Sequence, residues 1–289
     1  MSFLDGPWRM AMGLRRLDPA EWLVADGQEA AELAEKRRLY AERPDEVLAL
    51  LPEGQDGAAE LLRLLAAHLA ERRSAGFALE DEVLVVRASG ERVPLDAPDP
   101  LARAGLLVQE DLCLMARQRG GGYALVGASL CFPMRWRLAD KVGRAMAGIH
   151  EPVPGFAERL GGPADRFFAA LEPDRPVWRA NWSLTDDPRL FQPDTRTRPM
   201  ALGEADAGQD LWLRVERQTL RRLPQSGQVV FTIRTFRQRL EEAAGEPQVA
   251  AALAARIREM PEPMLRYKNL LGVRETLLRW LDRRAVASA

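Results

Sequence analysis

The hydrophobic period of this chain changes twice, and that change limits its fold more than any other feature. Between residues 57 and 73, Leu61, Leu64, Leu65 and Leu69 recur three or four apart, the spacing of one helix face. From Glu82 onward the apolar residues come in short runs, at 82–87, 112–116, 123–132, 177–184, 211–220 and 228–236, bounded by Gly, Pro and Asp. Helical patterns return near 247–259 and 263–284, separated by Met260-Pro261-Glu262-Pro263. Helices, then paired strands, then helices predict an α+β fold built on an antiparallel sheet. Arg119-Gly120-Gly121-Gly122 lies between two of the runs and predicts a hairpin with a glycine turn.

The intervening segments fill in this outline. Asp18-Pro19-Ala20-Glu21 has the form of a capped helix start, and further helices are expected over 30–39 and from Pro44. Ser89 to Pro94 reads as a turn into a short strand, while Ala102 to Val108 fits helix or strand. Leu138 to His150 reads as one helix, stopped by Pro152 and Pro154, and Pro163 to Ala170 as a shorter one. Residues 185–209, rich in Asp, Pro, Arg and Gly, form a long polar loop.

Composition removes several function classes. Forty-one basic residues against 42 acidic ones give a net charge of −1, which excludes nucleic-acid binding through bulk positive charge. Two histidines and two cysteines, Cys113 and Cys131, cannot build a four-ligand zinc finger at this spacing. The apolar surroundings of both thiols suit a reducing compartment. No apolar stretch reaches the length of a membrane span, and the opening residues show no export pattern, so a cytoplasmic protein is expected. No phosphate-binding loop or nucleophile elbow is present. Only three of the basic residues are Lys (Lys36, Lys141 and Lys268), an excess of Arg that a GC-rich genome explains.

Chemistry concentrates at a few positions. Ala139, Val142, Met146, Ile149 and His150 share one face at helical spacing, and Gly143 and Gly148 clear side chains beside the histidine. An imidazole there serves a metal, or else it is a core or helix-capping residue. His68 sits among leucines without glycine or proline nearby and reads as packing. Arg135, Arg137 and Lys141 are either a solvated helix start or a cradle for ligand carboxylates. Alternation along 212–220 places Trp212, Arg214, Glu216 and Gln218 on one face, with Leu213, Val215 and Arg217 on the other. In the following strand Phe231, Ile233 and Thr235 alternate with Thr232 and Arg234. If both polar rows face water, this is an edge hairpin with cross-strand ion pairs; if the Arg214/Glu216 row faces inward, it demands partners, and a polar or cationic ligand is expected.

Longer motifs carry a family resemblance. Val108-Gln109-Glu110-Asp111-Leu112-Cys113-Leu114 precedes Leu130-Cys131-Phe132-Pro133-Met134-Arg135-Trp136, then Ile149-His150-Glu151-Pro152-Val153-Pro154-Gly155 and Trp178-Arg179-Ala180-Asn181-Trp182-Ser183-Leu184. Last come Leu213-Arg214-Val215-Glu216-Arg217-Gln218-Thr219-Leu220-Arg221-Arg222-Leu223-Pro224 and Val230-Phe231-Thr232-Ile233-Arg234-Thr235. In this order, from about Met12-Gly13-Leu14 to the C-terminal helices, the chain resembles the haem-binding α subunit of the haem-dependent oxidative N-demethylases. The resemblance implies a PAS-like antiparallel sheet with a haem-bearing helix, extended by N-terminal and C-terminal helices. One domain over 1–289 is expected, with a helical extension at about 1–78, a PAS-like core at about 79–240 and C-terminal helices at about 245–289.

The same resemblance implies O2- and NADPH-driven oxidative N-demethylation of a small secondary amine such as dimethylamine. It implies haem b on this chain, with FMN and a 2Fe–2S cluster on a partner reductase. By motif, His150 becomes the iron ligand, and Arg135, Arg137, Lys141, Gly143 and Met146 become candidates for the haem surroundings. Glu216, Arg214, Arg217 and Arg234 are the candidates for the distal side, a carboxylate for an alkylammonium and guanidinium groups for oxygen. The resemblance leads one to expect a small Ser where Met134 stands, and a thioether there either narrows the pocket or reaches the iron. A haem-PAS gas or redox sensor and a haem-free interaction protein are the alternatives.

Overall fold

The computed structural model describes residues 8–196, 198–200, 202–203 and 207–286. Met1 to Gly6, where an export pattern would stand, and parts of the 185–209 loop lie outside them. Ten strands are described: β1 Arg15–Arg16, β2 Leu48–Leu50, β3 Phe77–Glu80, β4 Val83–Val86, β5 Glu91–Pro94, β6 Asp111–Arg117, β7 Tyr123–Ser129, β8 Val177–Thr185, β9 Trp212–Arg222 and β10 Val229–Arg239. Seven form an antiparallel sheet in the order β1-β8-β9-β10-β6-β7-β2, and β3-β4-β5 form a small separate one. The expected glycine hairpin joins β6 to β7, with Gly121 and Gly122 at φ of +93° and +72°.

Because antiparallel partners share a face, the register divides the sheet into two. The front carries Arg179, Asn181 and Ser183 of β8 opposite Gln218, Glu216 and Arg214 of β9, continuing through Ile233 of β10 and Cys113 and Met115 of β6. The segment between β7 and β8 covers this face, packing Leu138, Met146, Phe156, Ala164 and Phe168 onto Cys113, Leu125, Leu220 and Ile233. At one end of the back, Leu112, Leu114 and Val230 meet the leucines of the Gln55–Arg72 helix. At the other, Trp182, Leu184 and Leu213 meet the C-terminal helices Pro247–Glu259 and Arg274–Val286. Glu60 ties the first of these helices to the β9–β10 turn, accepting the backbone N–H groups of Gln225 and Ser226 at 2.7 Å each.

Two expected helices are broken, each for a backbone reason. Leu138 to His150 is a 3-10 turn at Leu138–Asp140 and a single α-turn at Met146–Ile149. Between them Gly143 turns left-handed at φ +78°, and the Gly143 N–H and Arg144 C=O pair with the C=O and N–H of Leu125. The segment therefore spends its hydrogen bonds on β7 rather than on a helix. The 263–284 pattern splits into Glu262–Tyr267 and Arg274–Val286. Asn269, at φ +60°, closes a Schellman cap in which Asn269 N–H bonds Arg266 C=O and Leu270 N–H bonds Leu265 C=O. Residues 100–107, open between helix and strand, are helical, with Pro100 in the first turn. The short strands β1 and β2, which no alternation announces, come from the N-terminal segment and extend the sheet.

Candidate functional site

The covering segment brings His150 over the front face. His150 is the C-cap of the Met146–Ile149 turn, and its Nδ1 lies 3.0 Å from the Met146 carbonyl, which also accepts the His150 N–H at 3.2 Å. A carbonyl only accepts, so the proton sits on Nδ1 and the Nε2 lone pair is left for another partner. Phe156 stacks on the ring at 4.2 Å and 10°. Burial lowers the imidazole pKa, against the Met146 hydrogen bond, and the charges of Lys141 and Arg179 lower it further. Neutral, oriented and bonded through Nδ1 to a carbonyl, this is the state in which histidine ligates a metal. Among the described residues no three His, Cys, Asp or Glu side chains converge on a metal position. One such imidazole is what a group with a single protein ligand, such as haem, requires.

Facing this segment is a row of polar side chains on the sheet. Glu216, 17% exposed, accepts from Gln218 Nε2 at 3.1 Å and Asn181 Nδ2 at 3.5 Å on one carboxylate oxygen; Arg214 Nε lies 3.7 Å from the other. Arg214 is buried and donates to the carbonyls of Leu190 and Phe132, so it pins the loops at both ends of the 131–192 stretch. Ser183, opposite Arg214, donates to the Met134 sulfur at 3.0 Å. Asp111, in register with Ile233, accepts the N–H groups of Cys131 and Phe132 at 2.8 and 2.9 Å and so fixes the segment that leads to Met134. Arg179, opposite Gln218, makes no hydrogen bond to a described residue, and its buried Nε is unpartnered. An unbonded guanidinium whose charge reaches the imidazole, and an Nε2 outside the Met146 hydrogen bond, fit a group with both a metal and negative charge.

The C-terminal Schellman cap adds a residue that sequence reasoning passed over. Lys268 reaches across the edge of β8, where β1 pairs only with Val177 and Trp178, and donates to the open Trp182 carbonyl at 2.6 Å and to Asn181 Oδ1 at 3.4 Å. Burial pushes its ammonium down to about 8, with Glu216 opposing and Arg135 and Arg179 adding to the fall. An ammonium only donates, so Asn181 must present its oxygen to Lys268 and its NH2 to Glu216. Arg179, Asn181 and Lys268 had a signal available: the first two alternate with tryptophans in β8, and Lys268 is one of three lysines.

Other expected site residues are placed elsewhere. Arg217 and Arg234 do not share the distal row, because they project from the back of the sheet. Arg217 donates to the carbonyls of Glu21 and Trp22. Arg234, fully buried, bonds Asp26, Glu32 and the carbonyls of Val24 and Thr235. Arg214 is on the front but spends both terminal nitrogens on backbone carbonyls, and its Nε is unpartnered. Arg137 is exposed and paired with Asp140, and Arg135 turns toward the Lys268 carbonyl. Lys141 donates to the Ile149 carbonyl, next to His150, and Met146 supplies the carbonyl that orients the ring. Gly143 supplies the left-handed turn that ends the preceding segment. His68 lies behind the sheet, edge-on to Trp22 at 5.4 Å, in keeping with its leucine-rich surroundings.

The family model described as haem-dependent oxidative N-demethylase, alpha subunit-like, matches residues 13–278. That span contains His150, the front-face row, Lys268 and all seven strands of the main sheet. The chain belongs to the haem-dependent oxidative N-demethylase alpha-subunit-like family.

Proposed function

We propose that this chain is the haem-binding catalytic subunit of an oxidative N-demethylase acting on a small secondary amine such as dimethylamine. The observation that carries the reading is the His150 ring, its Nδ1 bonded to the Met146 carbonyl so that Nε2 keeps its lone pair for a ligand. Five antiparallel strands in the order β7-β6-β10-β9-β8, with the histidine on the crossover between β7 and β8, support the PAS-like architecture. The reaction converts dimethylamine, O2, two electrons and two protons into methylamine, formaldehyde and water. NADPH supplies the electrons through a partner reductase bearing FMN and a 2Fe–2S cluster, and the assembly works in the cytoplasm.

His150 Nε2 would hold the iron of haem b, and the chemistry the haem would supply is oxygen activation. Glu216 binds the alkylammonium. Gln218 and Asn181 occupy one of its oxygens, so the other, beside Arg214, is left to accept the substrate N–H and its proton. Loss of that proton frees the nitrogen lone pair, which an oxidation at the neighbouring carbon requires. Met134 closes the end of the row beside Ser183. Phe231 and Ile233 contribute the apolar floor.

The reading is tested with haemin-reconstituted protein. The wild type is expected to show a Soret band that shifts on adding dimethylammonium, His150→Ala to lose most haem affinity, and Glu216→Gln to keep haem but lose the shift. Undiminished haem binding by His150→Ala refutes the ligand assignment. A Soret spectrum that ignores amines refutes the substrate assignment and leaves a gas-sensing protein.

A further inference from the structure

The charged groups of the front face are almost all spoken for. Arg214 bonds two carbonyls, and Arg222 bonds the carbonyls of Leu171, Gly227 and Phe168 and the Tyr123 hydroxyl. Arg179 differs. Its Nε is buried without a partner, as that of Arg214 is, but no described residue bonds any part of its guanidinium. Glu216 is near enough to attract it, and burial nonetheless lowers its pKa. The side chain is only partly buried, but its Nε is shut off from water without a hydrogen bond, and a buried donor left unpaired is costly unless a ligand completes it.

Its position says which ligand. Arg179 stands in the same row as the Glu216–Asn181 pair, and its charge reaches the His150 ring. It projects from the sheet, whereas His150 hangs from the segment laid over that sheet. A group held by His150 would therefore lie within reach of the Arg179 charge.

We infer that Arg179 is the anion-binding group of this pocket, receiving a small anion that enters between the front face and the cofactor. The inference rests on His150 as the haem ligand and adds the residue that meets negative charge on the sheet side. It makes the pocket two-signed: Glu216 takes the ammonium, and two positions along β8 a guanidinium waits for the opposite charge. Reduction of dioxygen develops negative charge on oxygen, and a donor already in place meets it without reorganisation.

Sodium fluoride titrated into the ferric holoprotein tests this, with haem transfer to apomyoglobin measured alongside. Arg179→Leu is expected to weaken fluoride binding by about tenfold or more, the usual worth of a charge-assisted hydrogen bond. Arg179→Lys, which keeps the charge, is expected to fall between the two. The Leu variant should unfold no more easily than the wild type, because no bond is lost, and its haem should leave no faster. Unchanged fluoride affinity in both variants with faster haem loss overturns the inference and assigns Arg179 to a carboxylate of the cofactor. Unchanged affinity with unchanged haem loss overturns it outright. A wild-type protein that takes up no haemin overturns the reading of His150 and this role together, whereas a normal Soret band with unaltered variants overturns this role alone.

Discussion

Replacing Arg234 by Met separates the two faces of the sheet most directly. The guanidinium is fully buried and makes four hydrogen bonds, to Glu32 Oε2 and Asp26 Oδ2 at 2.8 Å, to Thr235 O at 2.7 Å and to Val24 O at 3.1 Å. Methionine fills a similar length but leaves Glu32, a buried carboxylate, held by Gln109 alone at 2.7 Å. Breaking a buried pair on one side costs about 3–5 kcal/mol, mostly from the charge left behind. For a chain of this size each kcal/mol moves the thermal midpoint by about 2–4 °C, so a fall of roughly 6–20 °C is expected. Adding Glu32→Gln removes the stranded charge and should restore part of the loss.

The pH dependence has a definite sign. Burial works to raise the Asp26 pKa, but hydrogen bonds from Gln109 and the Gln28 N–H, together with Arg234, hold it below 3.8. A lowered carboxylate stabilises the fold above its unfolded pKa, and that contribution disappears as the pH falls through the folded value. The gap between wild type and Arg234→Met should therefore narrow below about pH 4. Guanidinium titrations of the two proteins, with the dimethylammonium spectrum recorded for each, make the measurement. An amine response lost at unchanged stability would falsify the placement of Arg234 behind the sheet, and a stability change under about 0.5 kcal/mol would show that the network carries little.

Two further substitutions probe the margins of the site. Lys268 titrates at about 8 in the fold against 10.5 for an ordinary lysine, so wild-type stability should rise between those pH values, while Lys268→Met should lack that rise. Parallel thermal profiles across that range would remove the buried ammonium from the site. Met134→Ala should raise the ratio of diethylammonium to dimethylammonium binding by about tenfold, the scale of a methylene in an apolar pocket. A constant ratio means that Met134 does not wall the amine.

What the sequence makes readable is mostly what alternation encodes. The pairing of β9 with β10 follows from apolar and polar residues two apart, and the same rule puts Glu216 and Arg217 on opposite sides of the strand. Grouping Arg217 and Arg234 with Glu216 in the distal pocket goes against that rule, and the back-face segments explain why it fails. They bring Asp26, Glu32 and the Glu21 and Trp22 carbonyls to meet the two guanidinium groups. Such partners lie some 200 positions away in the chain, and no local pattern announces them. The broken helix before His150 is unreadable for a similar reason. Its residues have helical spacing, yet Gly143, free to turn left-handed, donates its N–H to Leu125 of a neighbouring strand, whose own N–H the Arg144 carbonyl accepts.

The lysines show how a compositional bias becomes informative once the fold is known. A chain that writes nearly every cation as arginine retains Lys at three places only. Each proves to be sheltered, and each gives its ammonium to backbone carbonyls: Lys36 to Gly105, Val108 and Glu110, Lys141 to Ile149, and Lys268 to Trp182. A guanidinium is a flat fork suited to carboxylates, whereas these sites are small and need donors radiating from one atom. Genome composition explains the Arg excess on the surface but not these three exceptions. Two of them bear on the site, Lys141 by holding the turn that carries His150 and Lys268 by orienting Asn181 toward Glu216. In a sequence biased toward arginine, the residual lysines therefore mark where the packing left room for nothing larger.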